Sequence, residues 1–352
     1  MQIDVLIVGQ GLAGSLLAWE MLRSGYRLML IDSGEQNASQ VAAGLINPVT
    51  GQRLVKSADV DVLLPAAMLC YRQLGEQFKQ RFFVETPMLR ILRSQRELDF
   101  ARRRLNHGGY QAYLQSWAPG TEECSAAEFG VLQQVQTGYL RTQLLLARLR
   151  DFFLALHCYR QCRLDYGDIV LQPRMRWRDI EPRHIVFCEG YRAVSNPWFG
   201  KLPFQLAKGE ILGCETAARC PKQILNYGNW LVPLSEHRFK TGATFAAEWP
   251  DIQPTGAAAT SLLSALLRVC PRLEPVKVYE HSAGIRPATL DKQPFIGAHP
   301  RYANLHIFNG FGSKGSLSIP WHARHFIEAL QQRRLLADHC RIGRFDDAYF
   351  PA

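Results

Sequence analysis

No stretch of the 352 residues approaches the ~18 uninterrupted apolar residues of a membrane span. The chain also lacks a C-x-x-C pair. Its nine cysteines are an odd number with Cys158 and Cys162 the closest two, which argues against a disulfide framework or zinc ribbon and predicts reduced, structural thiols. No spacing of His, Cys, Asp and Glu suggests a metal site. There is no internal repeat and no linker rich in Pro, Gly or Ser. Gly at 27 and Pro at 19 are ordinary, which excludes collagen-like and low-complexity chains. Lysine is scarce, 9 of 41 cations, so arginine dominates a net charge of +10. That balance suits an anionic partner (a phosphorylated cofactor, a carboxylate, RNA, a membrane surface) without choosing among them. Asp4 stands where a secretory signal needs cations, so a soluble cytoplasmic protein is expected. Apolar residues at 47% against 20% charged exclude disorder as the main state. At ~100–200 residues per domain the length predicts two domains, and the missing linker predicts that they interleave.

What is present begins at the first residues. Ile3, Val5, Leu6, Ile7 and Val8 form an apolar run read as a buried strand. Gly9-Gln-Gly11-Leu12-Ala13-Gly14 follows, then Leu16, Leu17, Met21 and Leu22 at helical spacing, with Gly25 as the stop. Arg27 to Ile31 is a second strand, closed by Asp32 and Ser33. In this strand–turn–helix setting Gly9 permits the tight turn, Gly11 lets backbone approach a pyrophosphate, and Gly14 lets helix and strand pack closely. The helix N-terminus presents free N–H groups to the phosphates. Asp32 sits where an acid hydrogen-bonds the ribose of an adenosine and repels a 2′-phosphate, which disfavours NADP.

A second G-x-G-x-x-G, Gly310-Phe-Gly312-Ser313-Lys314-Gly315, also follows a strand and opens a helix. Too few residues follow it for a second nucleotide-binding half. The alternative is that this helix serves the same cofactor, aiming its positive end at the negative charge a reduced flavin carries near N1 and O2. Elsewhere the pattern predicts helices over 57–81, 95–105, 140–153, 257–269 and 317–330. Strands are expected over 82–93, 157–189, 276–282 and 305–308, a meander over 202–250, and turns over 106–138.

Just upstream of the second motif lies Gly284-Ile-Arg286-Pro287-Ala-Thr289-Leu-Asp291-Lys-Gln-Pro294-Phe-Ile296-Gly297. With both glycine motifs this string resembles the FAD-dependent D-amino-acid oxidase superfamily, which includes glycine oxidase, D-amino-acid dehydrogenase and sarcosine oxidase. Ala42-Ala43-Gly44-Leu45-Ile46-Asn47-Pro48 is similar to that family's segment running past the flavin. Ile185-Val-Phe-Cys-Glu-Gly190 is similar to its apolar strand ending beside the adenosine phosphates. Lys208-Gly209-Glu210-Ile211-Leu212 and Gly242-Ala243-Thr244 resemble its entry into, and exit from, the substrate-domain sheet. The resemblance spans nearly the whole chain. Two departures stand out. Members with covalent flavin carry a Cys near the final motif, where this chain has Ser282, Ala283, Lys314 and Ser316, so the FAD is expected to be non-covalent. Ser235-Glu236-His237-Arg238 replaces a turn that commonly carries Gly.

The resemblance implies an α/β fold: a Rossmann-type FAD-binding domain (1–75, 138–207 and 284–352) interleaved with a smaller α+β substrate domain on an antiparallel sheet (76–137 and 208–283). It implies oxidation of the C–N bond of a small amino acid or secondary amine by hydride transfer to flavin N5. Arg286 then holds the substrate carboxylate through a bidentate pair; a structural Arg pairing with Asp291 or a carbonyl is the competing reading. Tyr227, with Trp230 nearby, falls where the family's meander lines the substrate pocket. No general base is required, since an amine entering as free base can lose hydride directly, and His281 and His237 read as ordinary core or surface residues. Gly44 to Pro48 and Gly312 to Gly315 also look like the oxidase half of the bifunctional tRNA methylaminomethyl-uridine enzyme, so removal of a carboxymethyl group from tRNA is the alternative. Arg102, Arg103 and Arg104, and Arg174, Arg176 and Arg178, are either an RNA footprint or solvated faces, with Met175 and Trp177 turned inward. A non-catalytic flavoprotein that binds a partner is the remaining alternative.

Overall fold

The computed structural model describes residues 1–120, 127–248 and 251–350. Its first sheet grows from the N-terminal unit β1 (Gln2–Val8), α1 (Leu12–Arg23) and β2 (Leu28–Asp32). Val5, Leu6 and Ile7 are completely buried, as a strand covered on both faces must be, and this favours parallel pairing under helices. The strand order is Tyr159–Gln161, β2, β1, Glu181–Phe187, Leu305–Asn309, Phe295–Ala298. All neighbours are parallel except the last pair. Gly25, at φ +83°, closes α1 where a left-handed residue is needed.

The second sheet has eight strands and rests on two long ones, β3 (Phe204–Thr216) and β4 (Val276–Thr289), paired antiparallel along nearly their whole length. Beyond β3 follow Arg238–Gly242, Trp230–Pro233, Ile224–Asn226, Met88–Ile91, Val131–Gln134 and Leu114–Ala118. The helix Gly256–Val269 buries Leu262 and Leu266 against one face, with Leu212, Leu225, Leu231 and Phe239. The first sheet draws its strands from 2–32, 159–187 and 295–309; the second draws from 88–134 and 204–289.

The final helix, α2 (Gly315–Leu330), packs on α1 and on the helix Val60–Phe78. Pro320 inside α2 has no N–H, so the carbonyl of Ser316 loses its helical donor. The buried hydroxyl of Tyr71 replaces it, donating to Ser316 O at 2.6 Å. Among the described residues no helix is long and apolar enough to cross a membrane.

Candidate active site

A cavity of about 1160 Å³ opens where the ends of the first sheet meet the face of the second. At one end lies the turn after β1. Gly9 adopts φ +105°, and a Cβ there would stand 2.5 Å from the carbonyl oxygen of Cys188. A Cβ on Gly14 would stand 1.9 Å from Gly9 O, so Gly14 faces the turn itself and not the cavity. Gly11, Leu12 and Ala13 line the cavity, and the first turn of α1 carries no acid. Its N–H groups are the natural partners of an anion; the one on Leu12 already donates to Ser39 Oγ at 3.0 Å. Asp32 and Ser33 line the same end. Asp32 also accepts from the backbone N–H of Gln10 and of Gly34, both at 2.7 Å, which ties the glycine turn to the loop after β2.

Glu189 and Gly190 close this end. Burial pushes the Glu189 carboxyl up, against donation from Tyr166 Oη at 2.7 Å and Asn196 Nδ2 at 2.8 Å. Arg192 pairs with Glu35 at the rim. Gly190 has φ +60° and open space where a Cβ would project, so a side chain would fill the cavity. Asn309 ties the second glycine motif to Gly190: its Nδ2 donates to Gly190 O at 2.8 Å and its Oδ1 accepts from Gly310 N at 2.8 Å. Gly310 itself lies outside the lining, its Cβ position blocked by Thr289 Cγ2 at 2.7 Å.

The other end is lined by Gly312, Ser313, Lys314 and Gly315, where α2 begins with no acid in its first turn. Burial, with Lys292 adding to it, lowers the Lys314 pKa. Ala43, Gly44 and Leu45 form the facing wall. Gly44 sits at φ +69° against the strand Gly138–Leu140, where a Cβ would stand 2.1 Å from Leu140 O. From the second sheet come Arg286, Trp230, Asn226, Met88 and Ile211.

Arg286 lies on β4 opposite Ala207 of β3, and its guanidinium reaches diagonally over Gly209. A Cβ on Gly209 would stand 2.1 Å from Arg286 Nη2, so the Lys-Gly pair of β3 leaves room for this side chain. Both terminal nitrogens donate to Thr244 O at 3.3 Å. Among the described residues no carboxylate is within 4.0 Å of it, and Asp291 pairs instead with Arg344 at 2.8 Å. Burial alone lowers the Arg286 pKa. This cation is therefore partly desolvated and, among the described residues, lacks an anion.

Tyr227 is turned away from the cavity. Asn226, the last residue of its strand, points in, and side chains alternate, so the next one points out. Its ring packs among Leu225, Leu231 and Phe239, and its hydroxyl meets Thr241 Oγ1 at 2.9 Å. Trp230, paired with Asn226 across the strands, does line the cavity. Sequence reasoning missed Asn226, whose Oδ1 accepts from Arg90 Nη1 at 2.5 Å; Arg90 is itself held by buried Glu97 at 3.3 Å. No local pattern marks that relay, because Arg90 and Asn226 meet only through the parallel pairing of their strands. His281 faces Glu210 at 2.9 Å and His237 faces Ala218 O at 3.2 Å; neither lines the cavity.

The family model for FAD dependent oxidoreductases of the DAO type matches residues 4–329, and the chain belongs to that family. It is 24% identical to a glycine oxidase of Pseudomonas aeruginosa, over 95% of this chain and 96% of that one. The fold superposes on the glycine oxidase of Geobacillus kaustophilus with a TM-score of 0.82 at 20% identity, covering 96% of both chains. It superposes on an iminodiacetate oxidase of Chelativorans sp. BNC1 with a TM-score of 0.78 at 19% identity, covering 95% of this chain and 97% of that one. The protein is thus an α/β FAD-dependent oxidoreductase.

Proposed function

We propose that the protein binds FAD non-covalently and oxidises the C–N bond of a small amino acid or N-alkyl glycine. The observation that carries the reading is Arg286, a partly desolvated guanidinium with no acid partner among the described residues, in the cavity end that the second glycine motif also lines. A carboxylate supplies what it lacks, through two charge-assisted hydrogen bonds. Trp230 and Ile211 give the apolar wall that orients a short carbon chain, and Asn226 adds an amide fixed by Arg90. When bound, FAD accepts hydride from the carbon bearing the amine. The first turn of α1, with Gly11 and Ala13, holds its pyrophosphate; Asp32 takes the ribose; the start of α2 faces the flavin ring. In this reading residues 1–75, 138–207 and 284–352 carry the cofactor, and 76–137 with 208–283 carry the substrate. Among the described residues no cysteine lines the Gly312–Ser316 end, which supports flavin that leaves on denaturation. Among the described residues no disulfide forms, consistent with a reducing, cytoplasmic setting.

The test is anaerobic mixing of the purified yellow protein with glycine, N-methylglycine, iminodiacetate, D-alanine and methylamine. The carboxylate amines bleach the flavin and methylamine does not; bleaching by none of the carboxylates overturns the reading. The tRNA alternative rests on Arg102 and Arg103, exposed on the helix Gln95–Leu105. Arg102, Arg103 and Arg104 stack over Trp117, Phe100 and Tyr110, which suits a solvated face. Arg174, Arg176 and Arg178 are exposed while Met175 and Trp177 are buried, and Arg178 is paired with Asp168 at 2.9 Å. If tRNA is the substrate, its affinity falls steeply with salt and depends on Arg102, Arg103 and Arg104.

A further inference from the structure

Beside α2, on the side carrying its later turns, three side chains gather that the oxidation chemistry does not use. His322 stands on α2, and His339 and Cys340 on the segment that follows it. One ligand-capable atom from each lies within 4.8 Å of the other two. His322 is fixed by the helix. Its Nδ1 faces the carbonyl of Ser318 at 3.1 Å, so that nitrogen is the donor and Nε2 carries a lone pair. Nε2 is buried and has no hydrogen-bond partner. His322 as a whole is 4% exposed. A buried acceptor left without a partner calls for an explanation. Cys340 is also buried, and His339 is half-exposed with its Nε2 3.9 Å from Asp59 Oδ2.

We propose that His322, His339 and Cys340 bind a divalent transition-metal ion of the zinc class, with Asp59 or a water completing the tetrahedron. Two imidazoles and a thiolate select such an ion over calcium or magnesium, which take oxygen ligands. A backbone carbonyl holding the far nitrogen of a ligating imidazole is the usual outer support of such sites, and Ser318 supplies it. Zinc–ligand distances of roughly 2.0–2.3 Å in a tetrahedron place ligand atoms about 3.3–3.8 Å apart. Rotation of the half-exposed His339 ring closes the remaining gap. On binding, the Cys340 S–H bond breaks, its proton goes to solvent, and a metal–sulfur bond forms. The ion would join α2 to the first sheet, because Cys340 O accepts from Ile296 N at 3.0 Å, and to the start of the helix Val60–Phe78 through Asp59. The sequence hides the site because His322 and the His339–Cys340 pair meet only after the chain reverses beyond α2.

The test is calorimetric titration of the chelator-stripped, FAD-loaded protein with Zn²⁺ in two buffers of different ionisation enthalpy. One Zn²⁺ per chain and release of about one proton are expected. His339→Ala and Cys340→Ser each weaken binding at least about 10-fold. His237→Ala, remote and exposed, leaves it unchanged. Zn²⁺ also raises the thermal midpoint of the wild type and not of His339→Ala, whose exposed position keeps the fold out of question. No stoichiometric Zn²⁺ uptake by the wild type, or equal affinity in the His339 and Cys340 variants, overturns the proposal.

Discussion

At Arg286 two neighbouring residues and burial set one property. Gly209 removes the bulk that would push the guanidinium aside, Thr244 offers only a carbonyl, and burial removes part of its water. Arg286→Ala should lower kcat/KM for carboxylate amines by about 2–5 kcal/mol of transition-state binding, because a buried substrate anion loses its partner. Arg286→Lys should recover only part, since a point charge does not match the planar fork. FAD content should stay nearly constant, and loss of flavin, or equal slowing of an amine without a carboxylate, would make Arg286 a structural residue. Gly209→Ala should act in the same direction without removing the charge. Tyr227→Phe should leave kcat/KM unchanged and cost about 1 kcal/mol of stability, the worth of its contact with Thr241. The contrast shows what was legible. Arg286 stands out through a motif. Tyr227 was expected in the pocket from its place in the meander, and one step of strand alternation put Asn226 there instead.

At the scale of elements, local pattern succeeds where burial is continuous. The β1–α1–β2 unit has completely buried runs and a glycine turn, and both are visible in the sequence. The helix over 95–105 likewise appears with its Ser94 cap, which accepts from Glu97 N. Pattern fails where long-range pairing decides. The strand expected over 276–282 continues to Thr289 through Gly284 and Pro287, two residues that weaken strands. Antiparallel pairing with β3 and a position at the sheet edge tolerate both. Residues 106–138, read as turns, contain the strands Leu114–Ala118 and Val131–Gln134, which pair at the opposite edge; 121–126 lie outside the described residues. Helix α2 gives a prediction at this scale. Tyr71→Phe leaves Ser316 O buried beside Pro320 with neither donor, so stability should fall by about 1–3 kcal/mol. Ser316 lines the cavity, so FAD affinity should weaken with it, and fluorescence of released flavin measures this. An unchanged thermal midpoint would count against the repair role of Tyr71.

For the whole molecule the cavity depends on two neighbouring strands of the first sheet, Glu181–Phe187 and Leu305–Asn309, since Glu189, Gly190 and Asn309 lie at their ends. His184 and His306 join those strands, ring nitrogens 3.0 Å apart. Burial, with His184 adding to it, lowers the His306 pKa to about 3; burial and then Arg183 lower that of His184, against Asp4. An unfolded histidine titrates near ~6.5. Above that pH both states hold His306 neutral and its contribution is intact. As pH falls from about 6.5 toward 3, the unfolded chain takes up a proton the folded chain refuses, so stability is lost progressively. The full loss is on the order of 3–5 kcal/mol for His306. Because the strands carry the Glu189, Gly190 and Asn309 side of the cavity, acid should release flavin and unfold the protein together. His306→Gln should flatten the fall in urea midpoint between pH 7.5 and 5 and keep flavin bound to lower pH. A midpoint in the wild type that does not move over this range, or one that moves equally in His306→Gln, would assign the acid response to other groups.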